Sequence, residues 1–260
     1  MISQIVAGTA LAVFARTAGN SAETYYNYTI FLTGLTGILA MIPALYFYRR
    51  DKVRRIASGL IPAQKKVPLS LLEIILLLLA GAGLAQYGNF LMAILQSFIN
   101  SSTYQESMTR ITEGKSLLMM IFWMGIIAPA AEEMIFRWLI YLRLRDWLKM
   151  PVAAVISGLI FGIFHLNPVQ IIGACLIGFL LAWLYYKTRS LMACILIHIM
   201  NNGLSVYLSL KHPEMEDVTH LLSNPYVLVW AVVFILLLLL SLKQLNKYNI
   251  SDTNTTTTEL

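Results

Sequence analysis

Long apolar stretches alternate with short polar connections along most of this chain. An apolar run of about 20 residues can cross the ~30 Å hydrocarbon core of a bilayer as a helix. The first run lacks a basic leading segment and carries Arg16 late, so we interpret it as a retained helix and not as a signal peptide. The pattern predicts an all-α, polytopic transmembrane bundle of about eight spans, at residues 2–19, 28–48, 68–96, 117–142, 151–166, 169–186, 191–210 and 226–242.

The fifth of these runs is short for a full crossing and lies between Pro151 and Pro168. Seven spans, or a segment that enters and leaves the membrane on one side, are therefore open alternatives. The connections leave no room for a second soluble domain. We predict one transmembrane domain over residues 1–250, followed by a polar, Thr-rich tail at 251–260 that is disordered.

Composition supports a membrane location, because hydrophobic residues make up 58% of the chain and charged residues only 12%. Soluble domains carry roughly 25% charged residues. The net charge of +6 collects in alternate connections, which by the positive-inside rule face the cytoplasm together with both termini. Anionic lipid headgroups suit this excess, so we expect a lipid bilayer and no nucleic acid as partner. The basic residues are Arg49, Arg50, Lys52, Arg54, Arg55, Lys65, Lys66, Arg143, Arg145, Lys149, Lys187, Arg189, Lys243 and Lys247.

The fourth apolar run contains a cluster of charges, which is costly inside a bilayer and usually functional. Glu133 and Arg137 are four residues apart, so on a helix they share a face and can form an ion pair. Glu132 is turned by about 100° from that pair. We predict that Glu133 and Arg137 fix the local geometry and that Glu132 is available as a general base. The alternative is that Glu132 faces solvent or lipid headgroups.

Two further pairs with a spacing of four residues follow. Phe161 precedes His165 at the end of the fifth run, where the histidine could simply be a polar tip and Phe161 either lipid-facing bulk or a cavity wall. His198 precedes Asn202 in the seventh run. Two donors on one helix face can stabilise one oxyanion, although such a pair can also hold two membrane helices together. Asn201 points elsewhere and is not included.

The three pairs occur in order on three predicted membrane helices, and together they resemble the CAAX protease and bacteriocin-processing family of intramembrane proteases, also called the Abi family. Its pattern is EExxxR, FxxxH and HxxxN or HxxxB. All three motifs are intact here, within a motif core at residues 117–210. The candidate catalytic residues are Glu132, Glu133, Arg137, Phe161, His165, His198 and Asn202.

The resemblance implies a bundle of about eight helices with a conical, polar cavity open toward the cytosol, and proteolysis by activated water. Glu132 with His165 would hold and deprotonate the water. His198 with Asn202 would form the oxyanion hole. The substrate would be a hydrophobic peptide or a membrane-anchored protein, as in CAAX processing or in bacteriocin or pheromone maturation.

The family has been described both as metalloprotease and as metal-independent glutamate protease. Two histidines and two glutamates could satisfy Zn²⁺, but the spacing lacks the paired histidines of HExxH. We favour no cofactor and keep Zn²⁺ as an alternative, with Glu132, His165 and His198 as its ligands.

Two other classes of function remain open. A nonenzymatic membrane scaffold or bacteriocin self-immunity protein would keep the motifs only for packing. A proton-relaying transporter would show inverted repeats, which are not evident. We favour the peptidase, in a bacterial plasma membrane.

Overall fold

The computed structural model describes residues 21–59, 69–99, 109–212 and 223–246, together with the isolated positions 13, 16, 17, 106 and 219. The predicted span at 2–19, apart from three of these positions, and the predicted tail at 251–260 lie outside the described residues. Within the described part, every regular element is a helix. The all-α prediction is confirmed.

Seven helices make up most of the described chain, and five of them are long and apolar enough to cross a membrane, over Tyr28–Ala57, Leu71–Ile99, Leu117–Arg145, Pro168–Thr188 and Leu191–Lys211. These are the helices of a multi-pass membrane protein. The bounds are α1 Ser21–Ala57, α2 Leu71–Ile99, α3 Leu117–Arg145, α4 Met150–Ile163, α5 Pro168–Thr188, α6 Leu191–Lys211 and α7 Pro225–Asn246.

The helix boundaries differ from the predicted spans in one instructive place. The predicted span at 28–48 ends before the basic run, whereas α1 continues to Ala57. Arginine and lysine are good helix formers, so the basic run extends the helix instead of forming a connection.

Helix α4, by contrast, has only 14 residues, or about 21 Å at ~1.5 Å per residue. It is too short to cross a ~30 Å core by itself.

Helix α3, which carries the charged cluster, is not a uniform α-helix. Two π-helical sections, Ile121–Ile127 and Met134–Tyr141, flank a short α-helical section, Ala128–Glu133. π-Helical turns are rare and frequently occur at functional sites. Both glutamates of the cluster lie in the section between them.

Glycines allow α4 and α5 to pack in direct backbone contact. A Cβ added to Gly178 would lie 2.9 Å from Gly158 Cα and 3.0 Å from the Phe161 ring, and one added to Gly162 would overlap the Cys175 sulfur. Such small residues let membrane helices approach closely. Close packing fixes the end of α4, where Phe161 lies, against the middle of α5.

Helix α6 is held in the same manner against α2 and α3. A Cβ on Gly81 of α2 would lie 2.6 Å from the Ile197 carbonyl, and one on Gly125 of α3 would lie 3.0 Å from Gly203 Cα. Both contacts are adjacent in sequence to the candidate residues of α6. The backbone around His198 and Asn202 is therefore fixed relative to α3.

The last turns of α1 and α3 are joined by ion pairs that run in both directions, which we call the arginine clasp. Asp51 of α1 accepts from Arg143 Nε at 2.7 Å. In the opposite direction, Asp146 just beyond α3 accepts from Arg55 at 2.7 and 2.9 Å and from Arg54 at 3.0 Å. The basic end of α1 is thus a structural part of the bundle.

Candidate active site

The central feature of the site is a fully buried ion pair between Glu133 and Arg137. Arg137 Nε donates to Glu133 Oε2 at 2.7 Å, and Nη2 donates to Oε1 at 3.2 Å. Neither side chain is exposed. The third donor of the guanidinium, Nη1, reaches the Gly178 carbonyl on α5 at 3.1 Å. The predicted i, i+4 pair is confirmed, and with these bonds two buried charges are compensated.

His198 of α6 is bound to this pair. Its Nδ1 lies 2.9 Å from Glu133 Oε1, and its side chain is buried. Glu133 is ionised by its pairing with Arg137 and can only accept, so the Nδ1 of His198 carries a proton. The other ring nitrogen, Nε2, is directed toward Glu132, with 3.6 Å to its Oε2. His198 therefore lies between the two carboxylates.

Glu132 has a different environment from its neighbour. Its side chain is 18% exposed, and its Oε2 is buried without a hydrogen bond among the described residues. No arginine or lysine of the described chain pairs with it, and its one ionisable neighbour is His198 at 3.6 Å. Among the described residues Glu132 has no ion pair with Arg137 and is linked to the Glu133–Arg137 pair through His198. Its role as a general base stays a prediction.

Phe161 and His165 form the wall of the site that α4 provides. The Phe161 ring centroid lies 5.0 Å from that of His165 and 5.7 Å from that of His198, edge to face in both cases. The Arg137 guanidinium carbon is 5.5 Å from the same ring. Phe161 is buried, so the alternative of a lipid-facing residue is wrong.

The tautomer of His165 follows from its contact with the backbone. Its Nδ1 lies 2.9 Å from the Phe161 carbonyl, which can only accept, so the neutral ring carries its proton on Nδ1. Nε2 is then an acceptor. His165 and Glu132 form no ion pair in the described structure. They are linked indirectly, because His165 contacts Phe161, Phe161 contacts His198, and His198 faces Glu132.

Asn202, one turn after His198 on α6, contacts a different part of α3. Its Nδ2 donates to the Met124 carbonyl at 3.5 Å, and its Oδ1 accepts from Asn201 Nδ2 at 3.0 Å. The structure therefore places His198 and Asn202 along one side of α3. Asn201, which the sequence analysis left out, contacts Asn202 directly.

The conditional zinc set, Glu132, His165 and His198, is not assembled. Among the described residues, no three His, Cys, Asp or Glu side chains are grouped so that they could hold a metal ion. Nδ1 of His165 is bonded to a backbone carbonyl and Nδ1 of His198 to Glu133, so only Nε2 of each ring is open to another partner. We derive no step through a metal.

Sequence reasoning missed three partners of the site, which are the carbonyls of Gly178 and Met124 and the side chain of Asn201. The Gly178 carbonyl completes the guanidinium shell of Arg137, and no residue type can signal a main-chain acceptor. Asn201 is visible in sequence as a second amide beside Asn202, but the helical rotation of about 100° between neighbours argued against a shared role. The two amides nevertheless face each other, because Asn201 Nδ2 donates to Asn202 Oδ1.

Comparison with known proteins agrees with the motif pattern. Residues 114–204 match the family described as type II CAAX prenyl endopeptidase, Rce1-like. YdiL of Bacillus subtilis (strain 168), provisionally named a membrane peptidase, is 33% identical over 93 residues, which cover 36% of this chain and 38% of YdiL. The membrane-embedded CAAX protease MroQ of Staphylococcus aureus (strain USA300) is 33% identical over 101 residues, covering 36% of this chain and 40% of MroQ.

The similarity to these two relatives thus extends over about two fifths of each. No solved structure matches the chain. The family match spans all three motifs and every residue of the site described above. Over residues 114–204, the chain is similar to the Rce1-like family of CAAX prenyl endopeptidases.

Proposed function

We propose that this protein is an intramembrane endopeptidase that hydrolyses a peptide bond in a hydrophobic or membrane-tethered peptide or protein. The observation that carries the proposal is the contrast between two adjacent carboxylates. Glu133 is neutralised by Arg137, whereas Glu132 has a buried oxygen with no hydrogen-bond donor. An unpaired buried carboxylate is costly. It is the group expected of a general base that binds water or substrate.

In the proposed mechanism Glu132 takes a proton from a water molecule that also donates to Nε2 of His165. The resulting hydroxide attacks the carbonyl carbon of the scissile bond. His165 suits this task because its Nδ1 is occupied by the Phe161 carbonyl and its Nε2 is free to accept. Collapse of the tetrahedral intermediate breaks the C–N bond, and the proton held by Glu132 passes to the leaving amine.

The oxyanion of the intermediate would be stabilised by His198 and Asn202. Asn202 Nδ2 has a second N–H beside the one that meets the Met124 carbonyl. A donor role for His198 would use Nε2 and requires a proton there, because Nδ1 is held by Glu133. In a water-poor site these donors act more strongly than in water.

The substrate class follows from the relatives and from the membrane. The family name refers to CAAX prenyl endopeptidases and MroQ is named a CAAX protease, so a lipid-anchored C-terminal segment is one candidate. A bacteriocin or pheromone precursor is the other. We place the protein in a bacterial plasma membrane with both termini and the arginine clasp at the cytoplasmic side, because basic residues collect there.

The test is cleavage of a library of hydrophobic and prenylated peptides by the purified protein in detergent, with Glu132→Gln as the inactive variant. Glu113→Gln is the matched control, because it makes the same chemical change at an exposed turn before α3. Cleavage by wild type and Glu113→Gln, but not by Glu132→Gln, would support the peptidase. Each assay is repeated with a chelator, so that any dependence on a metal is measured directly. Equal traces from all three proteins would instead favour a scaffold or immunity role.

A further inference from the structure

The Met124 carbonyl in α3 lacks a main-chain donor, for a reason visible in sequence. In an α-helix its donor would be the N–H of Ala128, but that group bonds to the Trp123 carbonyl because this section is π-helical. In a continued π-helix the donor would be residue 129, which is proline and has no N–H. The carbonyl of Met124 therefore depends on a side chain from another helix.

That side chain is Asn202, and its amide is fixed at both ends. Nδ2 donates to the Met124 carbonyl, and Oδ1 accepts from Asn201 Nδ2. An amide rotated by half a turn would place oxygen against the carbonyl of Met124 and nitrogen against the nitrogen of Asn201. Both contacts would be repulsive. The close approach of Gly125 to Gly203 keeps α6 near enough to α3 for the first of these bonds.

We propose that Asn201 and Pro129 are positioning residues that fix the orientation of the Asn202 amide, so that its free N–H faces the oxyanion of the intermediate. Asn201 Nδ2 donates to the oxygen of the Asn202 amide. Pro129 has no N–H, so the Met124 carbonyl stays open to the nitrogen of that amide. The inference rests on the proposed peptidase function. It assigns a role to Pro129, which lies outside the three motifs, and to Asn201, which fills an unspecified position of HxxxN.

The burial of Asn201 separates this role from a structural one. Its side chain is buried, and its Oδ1 has no hydrogen-bond partner in the described structure. Such an oxygen destabilises the fold relative to an apolar side chain of similar size. A position that served stability alone would favour leucine, so Asn201→Leu should fold at least as stably as wild type and still be impaired in catalysis.

The experiment measures kcat, KM and thermal unfolding for Asn201→Leu and Pro129→Ala beside Asn202→Ala. Pro129→Ala supplies an N–H that competes with Asn202 for the α3 carbonyls. The control is Ser241→Ala on α7, which likewise removes a buried polar group without a partner in the described structure, in this case a hydroxyl. We expect Asn201→Leu to lower kcat by about 10- to 100-fold, less than the ~10²–10³-fold of a deleted oxyanion donor. KM and the unfolding temperature should stay within the range of the control.

A peptidyl phosphinate, which mimics the tetrahedral intermediate, provides a second readout. Its inhibition constant should rise for Asn201→Leu by the same factor by which kcat/KM falls, because both report stabilisation of the intermediate. A kcat for Asn201→Leu equal to that of Ser241→Ala, with Asn202→Ala impaired, would overturn the inference alone. A lower unfolding temperature that accounts for the lost activity would also overturn it. Absence of cleavage by wild type would overturn the proposed function and the inference with it.

Discussion

The protein contains two networks of ion pairs that differ in how completely their charges are matched. In the arginine clasp, both carboxylates are paired, Asp51 with Arg50 and Arg143 and Asp146 with Arg54 and Arg55, although Nη1 of Arg55 has no hydrogen-bond partner among the described residues. In the site network, which consists of Glu132, Glu133, Arg137 and His198, one carboxylate is compensated and its neighbour is not. The clasp joins helices, whereas the site network leaves one carboxylate, Glu132, without an arginine or lysine partner among the described residues.

This difference shows how burial alone fails to identify a functional residue. Asp51 and Glu133 are both buried carboxylates. Asp51 holds Arg143 of another helix, and Glu133 holds Arg137 of its own helix. Glu132 is more exposed than either. What distinguishes it is the missing partner.

The largest effect is expected from Glu132→Gln, which tests whether the unpaired member of the site network is the reactive one. We expect kcat to fall by about 10²–10⁴-fold, the contribution typical of a general base. Stability should be unchanged or higher, since the amide carries no buried charge. Peptide cleavage and thermal unfolding in detergent measure the two. A loss of stability comparable with the loss of activity would contradict the assignment.

Arg137→Met should reduce activity nearly as much as Glu132→Gln, but it should do so by destabilising the fold. It leaves Glu133 buried without its cation, and breaking a buried pair on one side costs about 3–5 kcal/mol. Denaturant unfolding in mixed micelles measures the loss. The double variant Glu133→Gln with Arg137→Met should recover most of the stability without recovering activity, because His198 loses its anionic partner. If the single and double variants were equally unstable, the pair would not be the stabilising unit.

In the clasp, Asp146→Asn makes the same carboxylate-to-amide change as Glu132→Gln. It weakens the bonds to the buried Arg55, and we expect a loss of about 1–3 kcal/mol in unfolding free energy. The specific activity of the folded fraction should match wild type. A fall in kcat at constant stability would mean that the clasp and the site network are coupled.

The smallest effect is expected for Arg54→Ala. Its side chain is 62% exposed, and an exposed ion pair contributes about 0–1 kcal/mol. The difference in unfolding free energy between variant and wild type should be small at low salt and should disappear at high salt, because screening removes the contribution of the pair. A larger, salt-independent loss would place Arg54 among the buried members of the clasp.

Local spacing predicts the parts of the molecule that depend on one helix. The apolar runs give the positions of the described helices, and the i, i+4 rule gives the Glu133–Arg137 pair. The sequence Ser70-Leu-Leu-Glu73 likewise predicts a capping box, in which Ser70 N–H donates to Glu73 Oε2 at 2.6 Å.

Contacts between helices were beyond this reasoning. The bond from His198 to Glu133 joins residues 65 positions apart, and periodicity within a helix does not specify its rotation against a neighbour. The continuation of α1 to Ala57 was missed for the same reason, because it is stabilised by bonds to another helix: Arg55 donates to Asp146 just beyond α3, and Asp51 accepts from Arg143 of α3. The π-helical sections of α3 have no simple signal apart from Pro129.

The shortness of α4 has a consequence for the supply of the hydrolytic water. A helix of about 21 Å leaves one of its ends within the ~30 Å hydrocarbon layer, and lipids respond to such hydrophobic mismatch by thinning locally. The turn after α4 contains Phe164 and His165, and Asn167 beyond it caps α5 by accepting from two main-chain N–H groups. Thinning at this turn would bring interfacial water to the imidazole by deforming the bilayer, without a pore through the protein.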